Sequence, residues 1–324
     1  AYNRLQTMRD NIEAIRLALR LGVEGSTAQN AEEREILRKY AGFGGLKCIL
    51  NDANDLEDAA KWSKSDIELF APTVELRRLI HDYSKDDKEF ARYMDSLKAS
   101  VLTAFYTDNR IVNAISDALK YSGVEVKSFL EPSAGQGAFI DSFLRNDCYP
   151  GAEVLAYEKD LLTGKILSAL HPSILTRIEG FEKIEKPFLN HFDLAISNIP
   201  FGDIAVFDAE YEKKSVMHRR AAKKVHTYFF LKGLDAVRDG GIVAFVTSKG
   251  TLDKKDSSFR KTLAERADLV GAVRLPNNAF KSAGTEVTPD IIFLQKRSAP
   301  LENIPSWVNV GTTENGLSIN NYFI

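Results

Sequence analysis

The stretch LEPSAGQGAF (130–139) decides the fold. It follows the apolar run 127–130, places Gly135 and Gly137 in a tight bend and leads into a helical segment. Glycine tolerates such a bend and has no side chain to obstruct a ligand, so backbone can approach one closely. A paired glycine alone is equally an ordinary turn, and the surroundings must decide. The third glycine of a dinucleotide fingerprint would fall at Ile140, so a nicotinamide dinucleotide is not expected. The run 153–157 leads into Glu158, about 20 residues on, where a strand-end carboxylate can hold ribose hydroxyls. Bend and acid together point to a nucleoside cofactor.

Outward from this bend, the chain after residue 100 alternates strand, turn and helix. Strands are predicted at 127–130, 153–157, 174–178, 192–197, 242–247, 269–275 and 290–295. Helical stretches separate the first five, which predicts a parallel sheet covered on both faces. The last two lie close together and fit an antiparallel pair at one edge. Before residue 100 the pattern is helical. NRLQTMRDNIEAIRLALRLG (3–22) carries Leu5, Met8, Ile12, Ile15 and Leu19 at near-helical intervals. A second helix follows Ser26 and Thr27, with Glu32 and Glu33 early and Arg38 and Lys39 late, as the helix dipole favours. AGFGGL (41–46) breaks the pattern, and further helices are expected near 74–84 and 88–99.

The 324 residues suffice for one large or two ordinary domains. Hydrophobic residues at 44% and charged residues at 27% fit a soluble globular chain without a membrane span or secretory leader. The start without methionine and the apolar ending NNYFI suggest a segment of a longer polypeptide. Cys48 and Cys148 stand alone, as in a reducing cytoplasm. A net charge of −2 gives no global attraction for nucleic acid, so any basic surface must be local. The five histidines and two cysteines show no close metal spacing, and neither G-x-S-x-G nor G-x-x-x-x-G-K-[ST] occurs. No metal and no helicase motor are expected. Trp62 and Phe43 read as core, although Phe43 also fits a wall beside a cofactor.

The fourth strand ends in FDLAISNIPFGD (192–203), an apolar run that stops on an amide, a proline and a bare ring. In an open parallel sheet this tip shares one crevice with the glycine bend. EGFEKI (179–184), after the third strand, places Phe181 and Glu182 where they would border an adenine ring; a plain surface loop is an almost equal reading.

The order of these motifs resembles the S-adenosylmethionine-dependent DNA adenine-N6 methyltransferases. LTAFYTDNRIVNAI (102–115) is similar to the family's F-Y-T-P segment, LEPSAGQGAF to its cofactor loop, and NIPF to its catalytic N-P-P-Y or N-P-P-F. Finer resemblance runs to the methylase regions of large bacterial and phage methyltransferase–helicase fusions of mobile elements and restriction-modification. It is carried by YAGFGGL, VHTYFFLKGLDAV and VRLPNNAFKSAGTEVTPDIIFLQKR. The resemblance implies an α/β Rossmann-like methyltransferase with a mostly parallel seven-stranded sheet behind a helical N-terminal region. It divides the chain into a helical region (1–100), a methyltransferase domain (101–298) and a C-terminal tail (299–324).

By the same resemblance S-adenosylmethionine would be held by Tyr106, Thr107, Glu131, Pro132, Ser133, Gly135, Gly137, Glu158, Phe181 and Glu182. Asn198, Ile199, Pro200 and Phe201 would be catalytic. Adenine N6 is a poor nucleophile because its lone pair is delocalised into the ring. An acceptor for each N6 hydrogen, the Asn198 side chain and the Ile199 carbonyl, favours a more tetrahedral nitrogen. Pro200 restricts Ile199 to extended conformations, and Phe201 offers a face for base stacking. Ile199 replaces the family's first proline, so reduced or absent activity is one expectation, and Asp108 stands where the family has another proline, which bears on the loop's shape. EKKSVMHRRAAKKVH (212–226) carries Lys213, Lys214, Arg219, Arg220, Lys223 and Lys224, expected at DNA phosphates; a solvated face is the plainer reading. Lys249, Lys254 and Lys255 form a weaker basic stretch. The expected partners are DNA and a helicase region of the same polypeptide. Two other readings are a non-catalytic DNA- or cofactor-binding module and a protein glutamine methyltransferase.

Overall fold

The computed structural model describes residues 3–103, 107–200, 202–280 and 287–324. Helix α1 (Arg4–Glu24) starts where the Asn3 side chain accepts from the Gln6 amide, and it ends at Gly25, whose φ of 63° suits a glycine. Helix α2 (Ala31–Arg38) is capped by Asn30. Helices α3 (Phe70–Tyr83) and α4 (Asp87–Thr103) follow. Helix α5 (Asn109–Tyr121) opens on Asp108, which accepts from the Arg110 amide.

Then come β1 (Ser128–Glu131), α6 (Ala138–Arg145), β2 (Glu153–Tyr157), α7 (Leu161–Leu170), β3 (Leu175–Arg177) and β4 (Phe192–Asn198). The second half holds α8 (Ala209–Lys213), α9 (Val216–Ala222), α10 (Val225–Ala236) and β5 (Val237–Ser248). It continues with α11 (Gly250–Asp253), α12 (Ser258–Arg266), β6 (Ala267–Arg274) and β7 (Pro289–Lys296). The seven strands form one sheet in the order β3-β2-β1-β4-β5-β7-β6, in which β7 alone runs against the rest. All seven predicted strands are present. Strand β5 begins earlier than predicted, where Val237 pairs with Phe192 ahead of a register shift.

Alternation along the buried strands builds two cores. Leu194 and Ile196 of β4 face α5 and α6, while Phe192 and Ala195 face α10. Helix α7, LLTGKILSAL, is apolar on most sides because it is covered twice. Leu167 joins the sheet core, whereas Leu162, Ile166 and Leu170 join the core of α1, α3 and α4. The N-terminal helices are thereby fixed against the sheet domain through α7.

Residues 299–324, expected as a C-terminal tail, pack back on the sheet domain. Trp307 and Val308 are buried in the α10 core, and the buried Asn320 donates to the carbonyls of Leu252 and Trp307, both at 2.8 Å. A hairpin of β8 (Val310–Thr312) and β9 (Ser318–Asn320) completes this segment. At the sheet's outer edge Val270 and Val273 of β6 are about half exposed. The Ala272 amide donates to the Tyr322 hydroxyl at 3.2 Å, and the Arg274 guanidinium lies over the Phe323 ring at 4.6 Å.

Candidate active site

The chain reverses its direction of travel across the sheet between β1 and β4, and there the carboxyl ends of neighbouring parallel strands open a crevice. Glu131 ends β1 and Asn198 ends β4, so the glycine bend and the NIP tip border one cleft. The Gly135 amide donates to Glu158 Oε2 at 2.7 Å, and the Asp160 amide to Glu158 Oε1 at 2.8 Å. Each carboxylate oxygen has a second lone pair, so Glu158 keeps acceptor capacity. Gly135 and Gly137 have φ of 58° and 91°, a region that favours glycine. At Gly137 a Cβ would also lie 2.8 Å from His171 Cδ2 and Leu167 Cδ1, so this glycine serves close packing against α7.

Glu131 is 1% exposed and accepts from the Ser133 amide at 3.0 Å. Burial pushes its pKa up to about 8, against hydrogen bonds from Ser197 and Ser133. Burial and then the nearby Asp160 carboxylate push Glu158 up to about 7. Pro132 is buried behind the bend, and Ser197 Oγ donates to the Ser133 carbonyl at 3.4 Å. Thr107 is 9% exposed, and its Oγ1, like Gln136 Oε1, is buried without a hydrogen-bond partner. Asp108 has φ −55°, within proline's range, so the departure from the family pattern keeps the backbone angle and adds a side-chain cap. Tyr106 and Phe201 lie outside the described residues.

Asn198 and Pro200 are half-buried, while Ile199 is 1% exposed with its side chain in the α10 core. The Ile199 N–H donates to the Val246 carbonyl at 3.1 Å. The ladder between β4 and β5 is thus carried one residue past Asn198, and this bond restrains the tip where the family uses a proline ring. Ile199→Pro removes it and is expected to cost about 1 kcal/mol or more of folding stability, read from the urea midpoint. An unchanged midpoint would mean that the bond holds nothing.

The sequence places Phe181 where it would border an adenine ring. It is 1% exposed and packs against Tyr157 and Phe229, with ring centroids 6.0 and 5.4 Å away. Glu182 is half-buried beside it. In the basic run, Arg219 is held internally by the Lys214 carbonyl at 2.9 Å, and the Lys214 ammonium sits over the Tyr211 ring at 5.3 Å. Lys224 pairs with Asp203 at 3.1 Å. Lys213, Arg220 and Lys223 are exposed and form no ion pair among the described residues.

Contacts that sequence reasoning missed tie the N-terminal helices to α7 and fix the AGFGG turn. Buried Tyr40 is 3.1 Å from Thr163 Oγ1, and Ser96 Oγ accepts from the Leu162 amide at 3.1 Å, so the N-terminal helices brace the start of α7 behind Glu158. The Phe43 amide donates to Ser100 Oγ, and buried Asn11 holds AGFGG by donating to the Gly42 carbonyl at 2.5 Å and accepting from the Ala41 amide. The break in helical pattern at AGFGGL was the available signal. Among the described residues no group of three or more His, Cys, Asp or Glu is placed to hold a metal, and no helix is long and apolar enough to cross a membrane.

Comparison with known proteins bears on the fold and the family. Over 211 residues the chain is 29% identical to Defense against restriction protein B of Escherichia phage P1, which is 63% of this chain but 9% of the phage protein. A Listeria monocytogenes protein described as a class I S-adenosylmethionine-dependent methyltransferase aligns with TM-score 0.54 at 16% identity, covering 94% of this chain and 92% of that one. The type I restriction-modification methyltransferase subunit of Streptococcus thermophilus aligns with TM-score 0.53 at 13% identity, covering 98% and 84%. Residues 174–308, less than half of the chain, match the N-6 DNA Methylase family, and the fold is that of class I methyltransferases.

Proposed function

We propose that the chain transfers the methyl group of S-adenosylmethionine to N6 of an adenine turned out of DNA. The observation that carries the reading is the switch point between β1 and β4, where the Gly135–Glu158 pair and the Asn198 tip border one crevice. The residues present fit the cofactor. Buried polar side chains are nearly always paired, and Thr107 Oγ1 and Gln136 Oε1 are not. Thr107 would meet the amino acid portion, the bend from Glu131 to Gly137 would lie against the nucleoside, and Glu158 would accept from the ribose hydroxyls. When bound, the cofactor supplies an electrophilic methyl group.

The chain's own residues orient the acceptor base. Asn198 Oδ1 and the Ile199 carbonyl accept the two N6 hydrogens, which localises the nitrogen lone pair. The proton leaves after transfer, so no dedicated base is required, and positioning with preorganised acceptors supplies the acceleration. Residues 101–298 would form the catalytic domain, with the helices of 1–100 bracing it. Exposed Lys213, Arg220 and Lys223 would meet DNA phosphates, and a helicase region of the same polypeptide remains the expected partner. The test is incubation with methyl-labelled cofactor and DNA, followed by nucleoside digestion. Label in N6-methyldeoxyadenosine alone is expected; label in cytosine or in protein glutamine overturns the reading.

Glu158 adds a pH dependence. With its pKa raised to about 7 it is half protonated near neutrality, and an ionised carboxylate is the better acceptor for ribose hydroxyls. Cofactor affinity is therefore expected to rise several-fold between about pH 6 and 8, with a flat profile in Glu158→Gln measured by calorimetry. An equal slope in the variant would assign the titration elsewhere. The sign for stability is opposite. A carboxyl raised above its ordinary value near 4.5 favours the folded state at acid pH, a contribution lost as pH climbs through 7 to 8.

A further inference from the structure

The loop after β4 carries an aromatic side chain that the fold leaves bare. Phe207 is 78% exposed and is the only exposed phenylalanine among the described residues; Ile204, in the same loop, is exposed as well. Their neighbours are fixed. The Val206 amide donates to the Ala222 carbonyl at 2.8 Å, and the Val206 side chain packs on the α10 core. Asp208 is buried, accepting from the Tyr228 hydroxyl and paired with Lys232. Phe207 is thus presented to solvent by a backbone pinned on both sides.

A lone exposed ring is ordinary on a protein surface, so its surroundings decide. Helix α10 ends where Val237 pairs with Phe192 at the amino end of β4. Its first turn therefore lies toward the carboxyl edge of the sheet, where Asn198 ends β4 and the crevice opens. Ala222 stands just before that turn and shares the α10 core with Ile199, the neighbour of Asn198. The bond from Val206 to Ala222 thus sets Phe207 on the same edge as the catalytic tip. Exposed Lys223 follows Ala222 and forms no ion pair among the described residues. A flat apolar ring next to an unpaired cation complements a strand with anionic phosphates on one side and base faces on the other. Turning an adenine out of DNA leaves base faces without a stacking partner, and apolar side chains such as Phe and Ile enter between base steps.

We infer that Phe207 stacks on a base of the target strand left bare by the departing adenine, with Ile204 as a second apolar contact. The inference rests on the reading of DNA as substrate. It adds a grip on base faces that the cations of the basic run cannot supply, and it gives the anchoring of Asp208 and Val206 a purpose, since a stacking ring must be held in place.

The experiment measures binding of the whole chain to a fluorescent single-stranded oligonucleotide and to an abasic strand of the same length, which keeps the phosphates and lacks the bases. Stacking tolerates any base, so no recognition sequence is needed. Phe207→Ala is expected to weaken binding to the oligonucleotide by about tenfold, with an unchanged slope of log affinity against log salt. On the abasic strand the same variant should stay within about twofold of the parent. Phe207→Tyr keeps a ring and should bind as the parent does, and the exposed position predicts an unshifted urea midpoint for both variants. Lys223→Gln should instead weaken both strands and lower the salt slope by about one. Equal losses on the two strands in Phe207→Ala overturn the inference. Unchanged affinity for the oligonucleotide does so too, and leaves the ring to a protein partner. A parent that binds neither strand overturns the inference together with the reading of DNA as substrate. Ring-dependent binding by a protein that never methylates DNA upholds the stacking contact and counts against methyl transfer instead.

Discussion

Asn198→Ala is expected to reduce methyl transfer to adenine by about 10²-fold or more while cofactor affinity stays within about twofold of the parent. The substitution removes one of two acceptors aimed at the N6 hydrogens and leaves the glycine bend and Glu158 untouched. Removing a single preorganised hydrogen-bonding group from a reaction centre costs about 2.7–4 kcal/mol in comparable acyl-transfer sites. Asn198→Asp keeps an acceptor oxygen and should recover part of the rate. Single-turnover transfer assays with calorimetry on the cofactor decide the matter. Undiminished transfer by Asn198→Ala would remove the side chain from the mechanism.

The second large effect lies beneath the basic run. Asp208 and Lys232 are 3% and 6% exposed at their side chains and paired at 2.7 Å. Asp208 Oδ2 also accepts from the Tyr228 hydroxyl at 2.6 Å, and Oδ1 from the amides of Glu210 and Tyr211 at the start of α8. Lys232 lies 4.9 Å over the Tyr211 ring. Burial alone would raise the Asp208 pKa, but the bonds from Lys232 and Tyr228 outweigh it and hold it below the ordinary value. Its stabilisation is therefore present near neutrality and is lost as pH falls through that depressed value.

Asp208→Ala leaves an uncompensated ammonium inside the α10 core and is expected to cost about 3–5 kcal/mol in denaturant unfolding. Replacing both partners with apolar residues should recover much of the loss. A cost below about 1 kcal/mol would show that water reaches Lys232 in the parent. The pair has a functional side. It fastens the segment carrying Arg220 and Lys223 to α10, so the single variant should also bind DNA more weakly.

The sheet was legible because its strands are short apolar runs punctuated by turns, and because five of them alternate with helical stretches. The crevice was legible too, since strand order follows once β1 carries the glycine bend and β4 the NIP tip. Other features depend on contacts between distant positions. Phe181 sits in a loop by local sequence, but Tyr157 and Phe229 draw it inward. Asp208 and Lys232 look like two surface charges until α10 brings them together. Residues 299–324 contain only short extended pieces, and their packing is set by Trp307 and by Asn320 bonded to residues far back in the chain. Ile199 reads as a loss of stiffness from the sequence, whereas the fold returns stiffness through the bond to Val246.

The rim of the sheet has a bearing on assembly. An outermost strand carries free amides and carbonyls on which a second molecule can template, and half-exposed valines on β6 would reward the encounter. The Tyr322 hydroxyl already consumes one of those amides, and the Phe323 ring is pinned beneath Arg274. An aromatic clasp of two side chains thus blunts one of the sheet's two flanks, where strands from separate copies would otherwise zip together. Its loss would be felt as self-association, far from any chemistry in the cleft.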